Sequence, residues 1–293
     1  MLVIPIKSTN KYNQPVHFFG NKSRYDTLTD VVFLSDTKLV CADRQDKMLY
    51  LININYENKS FNILHRIQVP YNPDLMDIVN NTIYIVNLNS YITVCEIINN
   101  TLRFVKTMML DNEFQYHGIC PNPFIKNQLF LTSTRKHNVL TILNIDTKSR
   151  NNYIIPRLEN KFLKDAVFVD RNHLIILGSD NGPKTGALSY NSYIHLYEYN
   201  SGIFTFIDGL TYQNCHVDSV VFHNGKYYVT AQLNEKGYIL NGSIEDKYLI
   251  PAKDIETVDF PHGLAISPSK HFLGFTSYST SSLYILDFDT QLT

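Results

Sequence analysis

The chain has 293 residues, 44% of them hydrophobic and 13% aromatic, with 26 Lys+Arg against 27 Asp+Glu and a formal net charge of −1. That balance, with no long Lys/Arg cluster, argues against nucleic acid as a partner, and no apolar run is long enough to span a bilayer. Abundant Tyr, Phe, Ile and Val favour strands, and no segment sustains a helical 3.6-residue period.

In chain order, the first fifteen residues show neither a basic n-region nor a long apolar h-region, so a cytoplasmic setting is expected. Within them stands "LVIP" (2–5), which resembles the ends of three internal segments: "RIQVP" (66–70), "NYIIP" (152–156) and "KYLIP" (247–251). Six stretches then share one cadence: "LTDVVFL" (28–34), "LMDIVNN" (75–81), "YHGICPN" (116–122), "LKDAVFV" (163–169), "HVDSVVF" (216–222) and "PHGLAIS" (261–267). Aligned on their third residue, they place Asp30, Asp77, Gly118, Asp165, Asp218 and Gly263 in one column, with steps of 41 to 53 residues. Each is followed by a second apolar run, a polar turn and a third run, and five of the six by a fourth. A period of this length with this much β signal is that of a four-stranded propeller blade.

The expected fold is therefore all-β, a single six-bladed β-propeller, with units at about 28–70, 75–110, 116–156, 163–209, 216–251 and 261–288. The sixth unit stops after its third run, "SLYILDF". Residues 2–6 supply its fourth strand, because an open ring would leave a sheet edge unpaired. Proline, which cannot donate to a ladder, suits the edge or the end of such a strand.

The stretch "PHGLAISPSKHFLGFTSYSTSSLYILDF" (261–288) resembles the repeat of the YVTN/NHL/SMP-30-like propeller superfamily. A WD40 signature is ruled out by the absence of Trp. The resemblance implies a ligand site at the channel mouth. In its SMP-30-like lactonases, one divalent cation held at the inner-strand starts polarises a carbonyl or activates water. His117 and His262 match the position before the Gly where that family carries a ligand, while Asp30, Asp77, Asp165 and Asp218 fall in the Gly slot.

Propeller geometry brings two sets of side chains to one mouth. From the strand starts come Asp30, Asp77, His117, Lys164, Asp165, His216, Asp218 and His262; from the turns come Asp43, Arg44, Asn87, Arg135, Asp180, Gln232 and Ser277. Asp30, Asp165, Asp218, His117, His262 and Lys164 are candidate catalytic groups, with His117 and His262 as candidate ligands of one divalent ion (Ca, Mg, Zn or Mn). Asp77, Asp43, Arg44, Arg135, Asp180, His216 and Gln232 are candidate ligand-binding groups. An Asp at a strand start can instead accept backbone N–H groups and hold blade to blade, and both roles stay open. So does a satisfied polar role for the histidines.

The long insertion "DNGPKTGALSYN" (180–191) reads as a lid over the mouth or an idle loop; its "GPKTG" lacks the Walker spacing. No GxSxG elbow occurs, and Cys215 and His216 are consecutive in an extended segment, so they diverge. The scattered cysteines read as free thiols. Two readings follow: a site for a small polar molecule, with metal-assisted lactonase-like hydrolysis as its chemistry, or a non-enzymatic scaffold that recognises a protein on the channel face. For the second, Tyr190, Tyr193 and Tyr278 form the candidate aromatic patch.

Overall fold

The computed structural model describes residues 1–5, 28–87, 90–110, 113–134, 138–180, 191–234, 236–280 and 282–288. Arg135, Tyr190 and residues 181–190 of the insertion lie outside them. The fold is a six-bladed β-propeller, with six antiparallel sheets in a ring, five of them built in sequence order from the channel outwards and the sixth finished by the N-terminal strand. The fifth sheet gains a two-residue strand, Ile255–Glu256, paired with Lys236–Glu245. Among the described residues no helix is long and apolar enough to cross a membrane.

The ring closes as the sequence implies. Leu2–Pro5 pairs antiparallel with Ser282–Asp287, in register from Leu2 with Ile285 to Pro5 with Ser282. Ile4 is fully buried, packed with Leu283 and Ile285 of the last blade and with residues of the first.

Blades are buried on both faces, and the two-residue period of a strand sorts each side chain to one seam. In blade 1, Val31, Phe33, Leu39 and Cys41 pack towards blade 6. Their neighbours Val32, Val40 and Ala42 pack towards Met76, Ile83 and Ile85 of blade 2. All four cysteines are buried free thiols.

The inner strands are Leu28–Phe33, Pro73–Val79, Tyr116–Pro121, Phe162–Phe168, Cys215–His223 and Pro261–Ile266. Every one carries a bulge near its start, between Leu28 and Asp30, Pro73 and Met76, Tyr116 and Ile119, Leu163 and Ala166, Val217 and Val220, and Pro261 and Leu264. Bulges re-aim side chains, and here they define the true register between blades. Hydrogen bonds confirm it: the N–H groups of Gly118, Ser219 and Gly263 each donate to a threonine hydroxyl on the adjacent strand, Thr132, Thr230 and Thr276, at 2.9–3.0 Å.

In this register the column read from the sequence shifts in two blades. Asp218 moves back one place, level with His117, and Ser219 takes the Gly slot. In blade 2, Leu75 takes the Gly slot and Asp74 the place of His117, while Asp77 lies two residues further along.

Candidate functional site

One ring of equivalent positions immediately before the Gly slot now reads Thr29, Asp74, His117, Lys164, Asp218 and His262. The two histidines oppose each other in blades 3 and 6, and the two aspartates in blades 2 and 5. The ring repeats after three blades, and so does its electrostatics: Lys164 Nζ lies 3.3 Å from Asp218 Oδ1, and Arg44 pairs with Asp74. Where the lysine position holds the short Thr29, the cation comes from the neighbouring turn of the same blade. The expected meeting of strand starts with turn residues therefore occurs at Arg44.

The cluster converges on a buried centre. Relative exposure is 0% for Asp74, 6% for His117, 6% for Asp218 and 1% for His262, so every charge here must be matched. The imidazole rings of His117 and His262 are 5.4 Å apart, and Tyr278 lies against His262 at 4.0 Å between centroids. His117 Nε2 is 3.5 Å from Asp218 Oδ1, and His262 Nε2 is 3.8 Å from Asp218 Oδ1 and 3.9 Å from Asp74 Oδ1. His216 Nε2 reaches the same Asp218 oxygen at 3.0 Å.

Tautomers follow from the other ring nitrogens. Nδ1 of His117 meets the Lys164 carbonyl at 2.9 Å, and Nδ1 of His262 meets the Thr29 carbonyl at 2.6 Å. A carbonyl only accepts, so each Nδ1 carries a proton, and in the neutral ring Nε2 is left with a lone pair aimed inwards. Burial drives His262 down to about 3, so it is neutral at physiological pH. Burial opposes ionisation of Asp218, but His216 and Lys164 more than offset it and hold that carboxyl well below its usual range. Burial likewise opposes ionisation of Asp74, but Arg44 together with His117 and His262 offsets it and lowers that carboxyl. The centre thus faces lone pairs towards carboxylates: His262 Nε2 and Asp74 Oδ2 are both buried with no hydrogen-bond partner among the described residues. One ligand atom from each of Asp74, His117 and His262 lies within 4.8 Å of the others, a set able to hold a metal ion.

Asp30 and Asp165 occupy the Gly slot of blades 1 and 4 and serve the seams. Asp165 accepts from Ala166 N–H at 2.9 Å and reaches into blade 5 to Val220 N–H and Ser219 Oγ–H at 3.0 Å. Asp30 accepts from Met76 N–H of blade 2 at 2.6 Å. The glycines of the preceding blades make room: a Cβ on Gly118 would come within 2.6 Å of Asp165 Oδ1, and one on Gly263 would collide with Asp30.

Other candidates do not join the cluster. Asp43 caps its own turn through Asp46 N–H, Gln232 accepts from Phe260 N–H, and Asn87 bonds Ile85, Tyr91 and Thr93. Ser277 donates to the Asp259 carbonyl. Asp180 pairs with Lys161 and accepts from the Tyr193 hydroxyl. Tyr278 is buried, and Tyr193 is half-buried beside Lys161, so these two offer no exposed aromatic patch. Asp74 is the one member of the cluster that the sequence reading missed. Its signal was the shared proline: "PDL" (73–75) sits in the register of "PHG" (261–263).

No known family model matches the chain, and no curated protein resembles it in sequence. Solved structures do match its fold. A crystal structure of RRP9 WD40 repeats aligns with a TM-score of 0.60 at 12% identity, covering 91% of this chain and 96% of that one. A Bacteroides uniformis protein provisionally assigned as a 6-phosphogluconolactonase aligns at 0.61 and 10% identity, covering 91% and 82%. Hydrazine synthase of Kuenenia stuttgartiensis aligns at 0.60 and 9% identity, covering 93% and 98%. At such identities the likeness is one of architecture, and function must be argued from the site.

Proposed function

We propose that this propeller is a small-ligand binding protein whose axial cluster holds one divalent transition metal on Asp74, His117 and His262, with Asp218 as a second carboxylate beside it. The observation that carries this reading is the pair of inward Nε2 atoms, each fixed by an Nδ1–H bond to a backbone carbonyl, as ligating histidines are. Two imidazoles and a carboxylate suit zinc or manganese better than calcium or magnesium, which prefer oxygen donors. Asp74 and Asp218 are already balanced by Arg44 and Lys164, so a divalent ion would leave a surplus of positive charge in a buried site. A small anionic molecule would neutralise it. Approach is from the side of Arg44, Lys164 and His216, whose side chains are 19%, 12% and 14% exposed, against 1% for His262. When bound, such an ion would polarise a carbonyl or lower the pKa of a water molecule. Protein recognition, the other reading, is supported only by the shared WD40 architecture, and Tyr193 and Tyr278 give it no exposed aromatic patch at the channel face.

Isothermal titration of metal-stripped protein with zinc is expected to show one site per chain, with affinity at least a hundredfold lower in His117→Ala/His262→Ala. No saturable uptake of zinc or manganese would remove this reading. Hydrolysis of simple lactones by the loaded protein then separates an enzyme from a binding protein.

A further inference from the structure

Two residues beyond the Gly slot, the inner strands form another ring: Val32, Asp77, Cys120, Val167, Val221 and Ala265. Five members are apolar or thiol and one is a carboxylate. Among the described residues Asp77 makes no bond across a seam; its Oδ1 accepts from the N–H of the next residue, Ile78, at 2.6 Å. Packing therefore does not account for an Asp there. It lines a cavity of about 190 Å³ on the axis, together with Asp30 and Asp165 from the level above. Asp30 Oδ1 is buried and has no hydrogen-bond partner among the described residues, in a residue only 3% exposed. Below the carboxyls the walls are apolar, with Ile78, Val167, Val221 and Ile266 half-buried, so the chamber opens at the end of the channel away from the histidines.

We propose that this chamber is a second ligand site, for a short-chain primary ammonium ion. Carboxyl-bearing residues from blades 1, 2 and 4 line one space, and an ammonium group can donate an N–H to Asp77 while its charge answers the other two. Direct ligation of a metal by all three is not supported: among the described residues, the only group of ligand atoms close enough to share an ion is Asp74, His117 and His262. The hydrocarbon tail runs down the axis against the apolar wall, where each buried CH₂ adds to affinity. A volume near that of six liquid water molecules suits an amine of a few carbons. Burial supports the same assignment, since it pushes Asp165 and, joined by repulsion from Asp165, Asp77 up to about 7, a cost that a bound cation would offset. The site is independent of metal binding at the other end.

Titration of the full chain with n-butylammonium, followed by calorimetry and by chemical-shift changes, tests it. One saturable site is expected. Affinity should fall at least tenfold in Asp77→Asn, and neither n-butanol nor tetramethylammonium should compete, the first lacking charge and the second N–H. Asp77→Asn should melt no lower than the parent, because the neutral amide keeps the shape without the half-buried charge. Should Asp30→Asn, the companion variant, fail to fold, Asp77→Asn carries the test alone. Absence of saturable binding, equal binding of n-butanol, undiminished binding by Asp77→Asn, or displacement of the amine by calcium would each overturn the proposal.

Discussion

A single missing methyl group decides how close two blades can come. Gly118 leaves space that the Asp165 carboxylate and the Lys164 carbonyl fill, and its Cβ would meet both within 2.6 Å. Backbone on one side and a carboxylate already held by three hydrogen bonds on the other leave little room to yield, and overpacking of this kind costs about 1–3 kcal/mol. Gly118→Ala is therefore expected to lower the denaturant midpoint by that equivalent, while Gly225→Ala, with nothing within 4 Å, feels only its positive φ of 75°. At this scale the sequence was half legible. Its glycines and aspartates share a column in blades 1, 3, 4 and 6, and there the seam bonds are found. In blades 2 and 5 an Asp lies close to the column without belonging to it. Residue identity alone could not reveal that displacement, because the column is set by a backbone bulge.

Among elements, the strand Leu2–Pro5 bears most on integrity, since it returns the start of the chain into the blade formed by its end. Its resemblance to three internal segment ends made it readable before any coordinates, because a blade's last strand has to end in a residue that needs no further ladder partner. Ile4→Ala should cost about 2–5 kcal/mol, the usual range for truncating a fully buried aliphatic side chain. Val3→Ala, at a position 45% exposed, should cost far less, and thermal melts of the two variants check the difference. The outer strands were legible as runs but not in detail. Three of them bulge at one shared point, at Leu64, Val105 and Ile207, where two residues oppose one on the inner neighbour. Such irregularity discourages edge-to-edge pairing with another molecule, and hydrophobic pattern carries no sign of it.

For the whole molecule, buried titratable groups set the acid limit of stability. Burial lowers His195 to about 4 and His262 to about 3, so both are neutral in the native state, whereas unfolded histidine takes up a proton near 6.5. Protons then bind the unfolded chain first, and stability present above about 6.5 drains away as the pH falls towards 4 and below. The His195 share is on the order of 3 kcal/mol. Asp74 and Asp218, held below the normal carboxylate range, add a second loss further down in acid. Urea unfolding of the parent and of His195→Leu between pH 7 and 4 should show a shallower slope in the variant; parallel curves would refute the assignment. The ring itself has a further consequence at its closure. Leu2 pairs with Ile285 and Pro5 with Ser282, so residues 1 and 288 leave the same end of one short ladder. A pull applied between them peels its hydrogen bonds singly instead of shearing them together, so the toroid should part at this fastening under a weaker force than any blade would need to unravel.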